Sequence, residues 1–390
     1  MFLGDIMFED YLLDIGYSKE QINIIRNFNP SLGSSSLLYN IKNLYSFLKQ
    51  YNINNNEFIN ITMTNPSIIL ESIDNIKLKL YELSTFGFNK LDSINILKTY
   101  PYILDISIDK IKTRLNKFID LGFSKESIIY IITDNAYLLR GDFSSYKRRF
   151  DFFIDYGYSK RNTLRIFTSC GSLFDCNITI IKNKINDFKS IGFNDTDIIN
   201  ITSLIPNLFL SNTNIITDKF NYLLSFGYID IDIIQIIKKI PILLKDIYLE
   251  SINKKIDCLI KLGFSKEEVI IMTCNNPYIF LYSIDNITNK FNSLKEYINK
   301  DNLIKVCVNF PLIFGYSLNN IINKITYYNK IKLDDYISNP KALMYSLDLI
   351  KARYFYLTKN SIGLDNIFLD DYKFYKRYKI KTTKLLDGDF

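Results

Sequence analysis

The chain has 390 residues, of which 47% are hydrophobic, and a formal net charge of +7, so it is long enough to bury a large core. It contains no histidine, which excludes Ser-His-Asp and Cys-His catalytic arrangements and any zinc site that uses imidazole. No stretch approaches about 18 apolar residues without a polar interruption, so we expect no membrane span.

The N-terminal segment carries Asp5, Glu9 and Asp10 before any Lys or Arg, unlike a secretory signal or an Arg-rich transit peptide. We therefore expect an intracellular, cytoplasmic protein, with a mitochondrion or plastid as the alternative location. The five cysteines form no C-x-x-C pair and are odd in number. This pattern favours buried thiols in a reducing compartment.

Proline and glycine recur along the chain with a period of about 35 residues. Ala136 and Gly171 stand where two prolines of this register are missing, and glycine precedes seven of the ten register positions by fourteen residues. A period of this length is typical of a solenoid, in which no repeat buries its apolar face alone. The prolines in register are Pro30, Pro66, Pro101, Pro206, Pro241, Pro277, Pro311 and Pro340. We predict an all-α fold, an α-solenoid of about ten helix-pair repeats in a curved superhelix.

Each repeat predicts two helices and a tight turn, as in LGFSKEEVIIMTCNNPYIF, residues 262–280. Gly263 suits the left-handed residue that ends a helix, here called helix B. Ser265 and Glu268 form a capping box that begins the next helix, helix A. Helix A must stop before Pro277, which opens a short 3₁₀ turn.

Helix B of the following repeat is predicted to begin six residues after each proline register position, where residues of the N-cap type recur. These residues are Ser36, Ser72, Ser107, Asp142, Asn177, Asn212, Ser283, Ser317 and Ser346, with Asp246 in the repeat that has one extra residue. The pattern holds to about residue 358. We therefore predict one elongated repeat domain over residues 1–358 and a C-terminal capping, basic and aromatic tail over 359–390.

These spacings resemble the repeats of the mitochondrial transcription termination factor (mTERF) family, best seen in LGFSKEEVIIMTCNNPYIFLYSIDNITNKFNSL. The C-terminal stretches YSLDLIKARYFYL and IFLDDYKFYKRYKI are similar to the end of that family's proteins. The chain departs from the pattern at Ala136, at Gly171 and at YNINNNEF in the second repeat. The resemblance implies a helical superhelix whose concave basic face binds duplex DNA or structured RNA.

One position of helix B is basic in nine of ten repeats, although only 48 of 390 residues are Lys or Arg. Asn43 is the exception. Equivalent positions of a solenoid lie in rows with steps of roughly 10 Å. A row of positive charges along one face suits the binding of a phosphate backbone. This basic ladder consists of Lys79, Arg114, Arg149, Lys184, Lys219, Lys255, Lys290, Lys324 and Arg353. We predict that it contacts nucleic acid, as do Lys376 and Arg377 in the basic and aromatic tail.

Structural explanations compete with this prediction. The ladder side chains could instead lie over the neighbouring helix and pair with an Asp or Glu of the next repeat. A second row, Lys19, Lys90, Lys125, Lys160 and Lys266, is interrupted by Asp195 and Asp230 and is typical of solvated helix starts. The tail could equally be a capping helix with one polar face, and Lys147, Arg148 and Arg149 could be an ordinary surface cluster.

The pattern favours a non-catalytic nucleic-acid-binding protein, with duplex DNA preferred over structured RNA, that regulates transcription termination or gene expression. The alternative is a solenoid scaffold for protein–protein interaction, which would present an apolar or mixed face. No paired-carboxylate motif, Gly-rich phosphate loop or metal-ligand spacing is present, so we predict no catalytic residues, cofactor, metal or small-molecule substrate. We expect a monomer.

Overall fold

The computed structural model describes residues 3–28, 33–211, 215–245 and 248–387. Regular structure in these ranges is entirely helical, as predicted, with 23 α-helices, ten 3₁₀ helices and no strand. The α-helices are α1 (Leu3–Ile15), α2 (Lys19–Phe28), α3 (Ser34–Lys49), α4 (Asn55–Thr64), α5 (Ile73–Phe86), α6 (Lys90–Thr99), α7 (Ile108–Leu121), α8 (Lys125–Asp134), α9 (Phe143–Tyr156), α10 (Lys160–Ser169), α11 (Ile178–Ile191), α12 (Asp195–Leu204), α13 (Ile215–Phe226), α14 (Asp230–Lys239), α15 (Tyr248–Leu262), α16 (Lys266–Asn275), α17 (Ile284–Leu294), α18 (Lys300–Asn309), α19 (Leu318–Lys330), α20 (Asp335–Ser338), α21 (Leu347–Lys359), α22 (Asp371–Tyr378) and α23 (Thr382–Asp387).

The even-numbered helices from α2 to α20 are helices A, and the odd-numbered helices from α1 to α21 are helices B. Each of the seven register glycines follows a helix B and has a positive φ between 105° and 125°. The second repeat lacks the glycine, and Asn52 occupies its register position with φ 59°. Asparagine adopts this left-handed conformation more readily than most residues, so the departure in sequence preserves the helix end.

A 3₁₀ helix follows helix A wherever the structure describes the register position, as predicted. Ala136 and Gly171 begin such helices without proline. The 3₁₀ helices at register positions are Pro66–Leu70, Pro101–Asp105, Ala136–Leu139, Gly171–Phe174, Pro206–Phe209, Pro241–Leu244, Pro277–Leu281, Pro311–Gly315 and Pro340–Met344. Pro30 lies outside the described residues.

Most predicted N-caps of helix B are confirmed. The side chains of Ser72, Asp142, Ser283, Ser317 and Ser346 accept backbone hydrogen bonds in the first turn. Asn177 accepts from the backbone N–H of Thr179.

Two predicted caps differ in the structure. Ser107 occupies the N-cap position but makes no side-chain cap bond. Ser36 is wrong as a cap, because α3 already begins at Ser34, after Gly33. The predicted caps Asn212 and Asp246 lie outside the described residues.

The chain forms two compact units by its contacts. The N-terminal unit comprises Met1–Asn186 and Ile198–Ser211, and the C-terminal unit comprises Asp187–Asp197 and Asn212–Phe390. In the N-terminal unit, α6 packs on α8 and α8 on α10, while α7 packs on α9. In the C-terminal unit, α14 packs on α16 and α15 on α17. Each unit is therefore a stack of helix pairs, with a helix A layer and a helix B layer.

The last repeat is shorter than the others, which explains the 29-residue spacing between Pro311 and Pro340. Its helix A, α20, has only four residues, and Lys332 with φ 53° ends the preceding helix. After α21 the repeat pattern stops, and the short helices α22 and α23 follow. α23 packs on α21, so the tail closes the end of the C-terminal unit.

Candidate nucleic-acid interface

The residues of the basic ladder lie on the packed side of helix B. Five are buried, with Lys184 and Arg353 at 0% exposure. Lys219, Lys255 and Lys324 are 3–7% exposed, whereas the remaining four are half-buried. The half-buried members are Lys79, Arg114, Arg149 and Lys290. In this conformation, the charged groups of the five buried residues present little or no surface to a phosphate.

Ladder side chains donate hydrogen bonds to main-chain carbonyls around the end of the following 3₁₀ helix, which belongs to the next repeat or, for Arg353, to the tail. The donors and acceptors are Lys79 to Ile106, Arg114 to Gly141, Arg149 to Cys176, Lys219 to Lys245, Lys255 to Phe280, Lys290 to Phe314, Lys324 to Leu343, and Arg353 to Ile367 and Leu369. Carbonyls at helix ends have no intrahelical partner, so a cation here satisfies an orphan acceptor. The ladder therefore holds successive repeats together.

This arrangement differs from the structural explanation derived from the sequence. Carboxylate partners were expected under the structural explanation, but only Arg353 has one among the described ladder contacts, with Asp371 Oδ1 2.7 Å from Nη2. Burial lowers the pKa of Lys79, Lys255, Lys290 and Lys324, since it penalises the charged form. For Lys79 the nearby carboxylates of Glu71 and Asp105 act in the opposite direction.

Arg114 and Arg149, like Arg353 at its Nε, each have one guanidinium nitrogen without a hydrogen-bond partner in the described structure. In Arg114 and Arg149 this nitrogen is Nη1, which is buried. Arg114 donates through Nη2 to the Gly141 carbonyl at 2.5 Å, and Arg149 donates through Nε to the Cys176 carbonyl. An unpaired donor on a charged group is costly when buried, so this nitrogen of each arginine is an unsatisfied donor inside the structure.

Each of these arginines lines a surface groove between consecutive repeats of the N-terminal unit. The first groove also contains Lys110, Lys117 and Arg140, with Asp105 and Asp109 as its acidic residues. The second contains Arg148 and Arg149, with the single carboxylate of Asp175. The grooves occupy equivalent positions, because Arg149 lies 35 residues after Arg114. Basic side chains outnumber acidic ones in both.

A row of exposed lysines lies two residues before the ladder on four successive B helices of the N-terminal unit. These residues, which we call the outer lysines, are Lys77, Lys112, Lys147 and Lys182, spaced by 35 residues. All four are exposed to solvent. The row does not continue into the next repeat, where Thr217 stands at the equivalent position.

The contacts of the outer lysines are weak surface contacts. Lys112 Nζ lies 2.8 Å from Glu82 and Lys147 Nζ lies 2.6 Å from Asp151, while Lys77 is 3.7 Å from Asp74. Lys182 lies over the ring of Phe152. The hydrogen bond with Glu82 raises the pKa of Lys112, so its ammonium group stays charged. Exposed ion pairs contribute little to stability and can be displaced by another anion.

The outer lysines are not part of the ladder predicted from the sequence, although the sequence carries a signal that separates the two rows. Arg114 lies three residues after Ile111 and four before Phe118, within the apolar stripe of α7. Lys112 lies outside that stripe, since residues two apart on a helix point about 200° apart. Comparing each basic position with the apolar stripe would have separated the buried row from the exposed one.

The second, interrupted lysine row has the exposed placement that was expected of solvated helix starts. Lys90, Lys125 and Lys266 are exposed at the first position of helix A. Each lies over an aromatic ring at or just after the end of the helix B that lies one repeat earlier in the chain, namely Tyr51, Phe86 and Phe226. These lysines therefore cover apolar surface while keeping their charges in water.

In the tail, the structure places Lys376 and Arg377 on the exposed side of α22. Phe374 on the opposite side is 1% exposed. Arg377 Nη1 donates to the Asn366 side chain at 3.2 Å. The helix has the single polar face expected of a capping helix.

The requirements of a metal site, a reactive thiol and a membrane-spanning helix can also be compared with the described residues. Within the described ranges, no group of three or more Cys, Asp or Glu is placed to hold a metal ion. Cys170, Cys258 and Cys307 are buried, and burial raises the pKa of the Cys307 thiol. Of the helices described, none combines the length and apolar character needed to cross a membrane.

Comparison with known proteins gives one family. The family model described as mTERF matches residues 7–161 and 147–327. The two matches overlap and together span most of the chain. No curated protein sequence matches it.

Proposed function

Since this chain belongs to the mTERF family, we propose that it is a non-catalytic nucleic-acid-binding protein that regulates transcription termination or gene expression. Duplex DNA is the favoured ligand, and structured RNA is the second. The observation that carries the proposal is the row of outer lysines, which repeats one exposed positive charge per helix pair along the N-terminal unit.

The outer lysines suit a phosphate backbone in number, exposure and spacing. Neighbouring B helices pack roughly 10 Å apart, so four such lysines form an extended charged row. Each neutralised phosphate releases condensed counterions, which is the main source of sequence-independent affinity for a duplex. The ladder itself supports the row indirectly, because its hydrogen bonds to the next repeat fix the B helices that carry these lysines.

The two grooves add a more specific phosphate contact. Arg114 and Arg149 are half-buried in these grooves, and each uses one guanidinium nitrogen on a main-chain carbonyl. A phosphate oxygen accepts from guanidinium groups with favourable geometry. We place phosphates at the mouths of these grooves, between the half-buried arginines and the exposed Lys110, Lys117 and Arg148. The buried ladder residues then position the helices and do not contact the ligand.

The test is a salt titration of binding by a variant with Gln at Lys77, Lys112, Lys147 and Lys182. For duplex DNA, log affinity falls with log salt by about 0.9 per phosphate contacted, so removing four contacts flattens the slope by about 3 to 4 units. The loss is similar for unrelated sequences, because phosphate contacts carry no base information. Parallel titrations with duplex RNA and single strands identify the preferred ligand.

A matched control carries Gln at Lys19, Lys90, Lys125 and Lys160, which removes the same charge from helix A. This control keeps a slope close to that of the parent. Equal slopes for the two quadruple variants would show that only net charge matters, and would overturn the proposed interface. A parent protein that binds no nucleic acid would instead favour the protein-interaction scaffold.

A further inference from the structure

The tail helix α22 is held firmly against the end of the C-terminal unit by its inner side. The ring of Phe374 lies 4.4 Å from the guanidinium carbon of the fully buried Arg353 and 4.8 Å from the ring of Tyr378. Arg353 also donates to Asp371 at 2.7 Å and to two main-chain carbonyls just before the helix. The orientation of α22 is therefore fixed by contacts with a buried charge, which is strongly destabilising when left unpaired.

The outer side of α22 presents two large aromatic rings to solvent. Tyr372 is 72% exposed and Tyr375 is 42% exposed. They are three residues apart, so they lie on the same face of the helix. Neither ring contacts another aromatic ring in the described part of the chain. Capping of the repeat array does not require these rings, since Phe374 and Tyr378 already provide the apolar contacts.

Unpaired positive charge accompanies the two rings. Lys376, four residues after Tyr372, and Lys379, at the C-cap of α22, are exposed. Among the described residues, neither has a carboxylate within ion-pair distance, whereas Lys373 is paired with Asp370 at 3.2 Å. The outer face therefore combines two exposed rings with two available cations on a fixed helix.

We propose that this face of α22 is a stacking platform for unpaired nucleotides of single-stranded nucleic acid. Bases stack on aromatic side chains without regard to sequence, and nearby lysines contact the backbone phosphates. The platform lies in the C-terminal unit, on different residues from the duplex interface proposed above. The platform would bind an unpaired strand by stacking its bases, whereas the outer lysines would bind such a strand only through charge.

The experiment measures fluorescence anisotropy of labelled oligo(dT) and oligo(U), about 12 nucleotides long, with the full chain. The Tyr372→Ala/Tyr375→Ala variant loses roughly tenfold or more of its affinity for the oligonucleotides, with an unchanged salt slope, because stacking releases no counterions. Its affinity for duplex DNA is unchanged. The Tyr372→Phe/Tyr375→Phe variant keeps its affinity, since the ring and not the hydroxyl stacks.

The matched control is Tyr39→Ala/Tyr130→Ala, which removes two tyrosines that are 68% and 58% exposed on the N-terminal unit. A parent that binds no oligonucleotide overturns the platform, and so does an equal loss in the control or in the Phe variant. The quadruple outer-lysine variant separates the two proposals. Loss of duplex binding with oligonucleotide binding retained supports both, and an unchanged duplex affinity counts against the duplex interface alone.

Discussion

The hydroxyl of Tyr158 lies 2.5 Å from the hydroxyl of Thr202, in the helix A of the next repeat. Thr202 already donates its own proton to the carbonyl of Ile198 at 2.7 Å, so Tyr158 is the donor in this pair. Both side chains are buried. The bond therefore joins two repeats inside the core.

The same pair recurs wherever tyrosine follows a register glycine. Tyr17 bonds Thr62, and Tyr228 bonds Thr273, each at 2.5 Å. Where phenylalanine follows the glycine, the equivalent partner position carries no hydroxyl. These combinations are Phe88 with Ile132, Phe123 with Phe167, Phe193 with Ile237 and Phe264 with Cys307. The two positions are matched in polarity, because a buried hydroxyl without a partner is destabilising.

We expect Thr202→Val to lower the free energy of unfolding by about 2 kcal/mol, because it leaves the Tyr158 hydroxyl buried without an acceptor. Tyr158→Phe costs less, since Thr202 keeps its bond to Ile198. The double variant costs less than the sum of the two, as urea unfolding of all four proteins would show. Additive effects would contradict the pairing. As a converse control, Phe123→Tyr destabilises, because Phe167 stands at the partner position.

The ladder residues should matter for stability, and their exposed neighbours should not. Lys255 is 7% exposed and donates to Phe280 O at 2.6 Å and to Ser251 Oγ at 2.8 Å. Lys255→Met leaves these acceptors unpaired and lowers stability by about 2–3 kcal/mol. Lys254→Met removes the same charge from the exposed side of α15 and changes stability by less than about 0.5 kcal/mol. Thermal melts that show equal effects would refute the inter-repeat role of Lys255.

Two serines at the same register position should respond differently to alanine. Ser283 accepts a hydrogen bond from the backbone N–H of Asn286 at 3.1 Å, so Ser283→Ala costs about 1 kcal/mol. Ser107 makes no such bond, and Ser107→Ala costs clearly less. Chemical denaturation of the two variants tests the difference. A larger loss at Ser107 would show that its cap forms in solution.

Stability should decrease in alkaline solution because of buried tyrosines. Burial raises the pKa of Tyr17, Tyr158, Tyr228 and Tyr328 well above the usual 10, and that of Tyr146 to about 12. Above pH 10 the unfolded chain releases tyrosine protons that the folded chain retains, so their stabilising contribution is lost as pH rises toward the folded pKa. The lowered pKa of the buried lysines acts in the opposite direction over part of this range.

A titration that follows tyrosinate absorbance together with circular dichroism provides the measurement. The absorbance reports tyrosinate formation and the circular dichroism reports helix content at each pH. The buried tyrosines ionise only as the helical signal is lost. Complete tyrosinate formation in the folded protein would contradict their burial.

The helix boundaries could be predicted from the sequence because they depend on local physics. Glycine after helix B, proline after helix A and a polar residue at the N-cap each act through the conformation or hydrogen bonding of a few neighbouring residues. The structure confirms this even at Asn52, which replaces glycine with another residue that tolerates a positive φ. Ser36 fails as a cap, since α3 begins two residues earlier.

The sequence also determined that basic residues recur once per helix pair. In four repeats, however, two positions of helix B are basic. Lys77 and Lys79, Lys112 and Arg114, Lys147 and Arg149, and Lys182 and Lys184 are each two residues apart. Only the tertiary structure decided what the ladder side chains bind, because the next repeat covers one side of helix B and provides main-chain carbonyls there. The buried and half-buried ladder members stabilise the stack, and the outer lysines lie on the exposed side of helix B, since residues two apart on a helix point to nearly opposite sides.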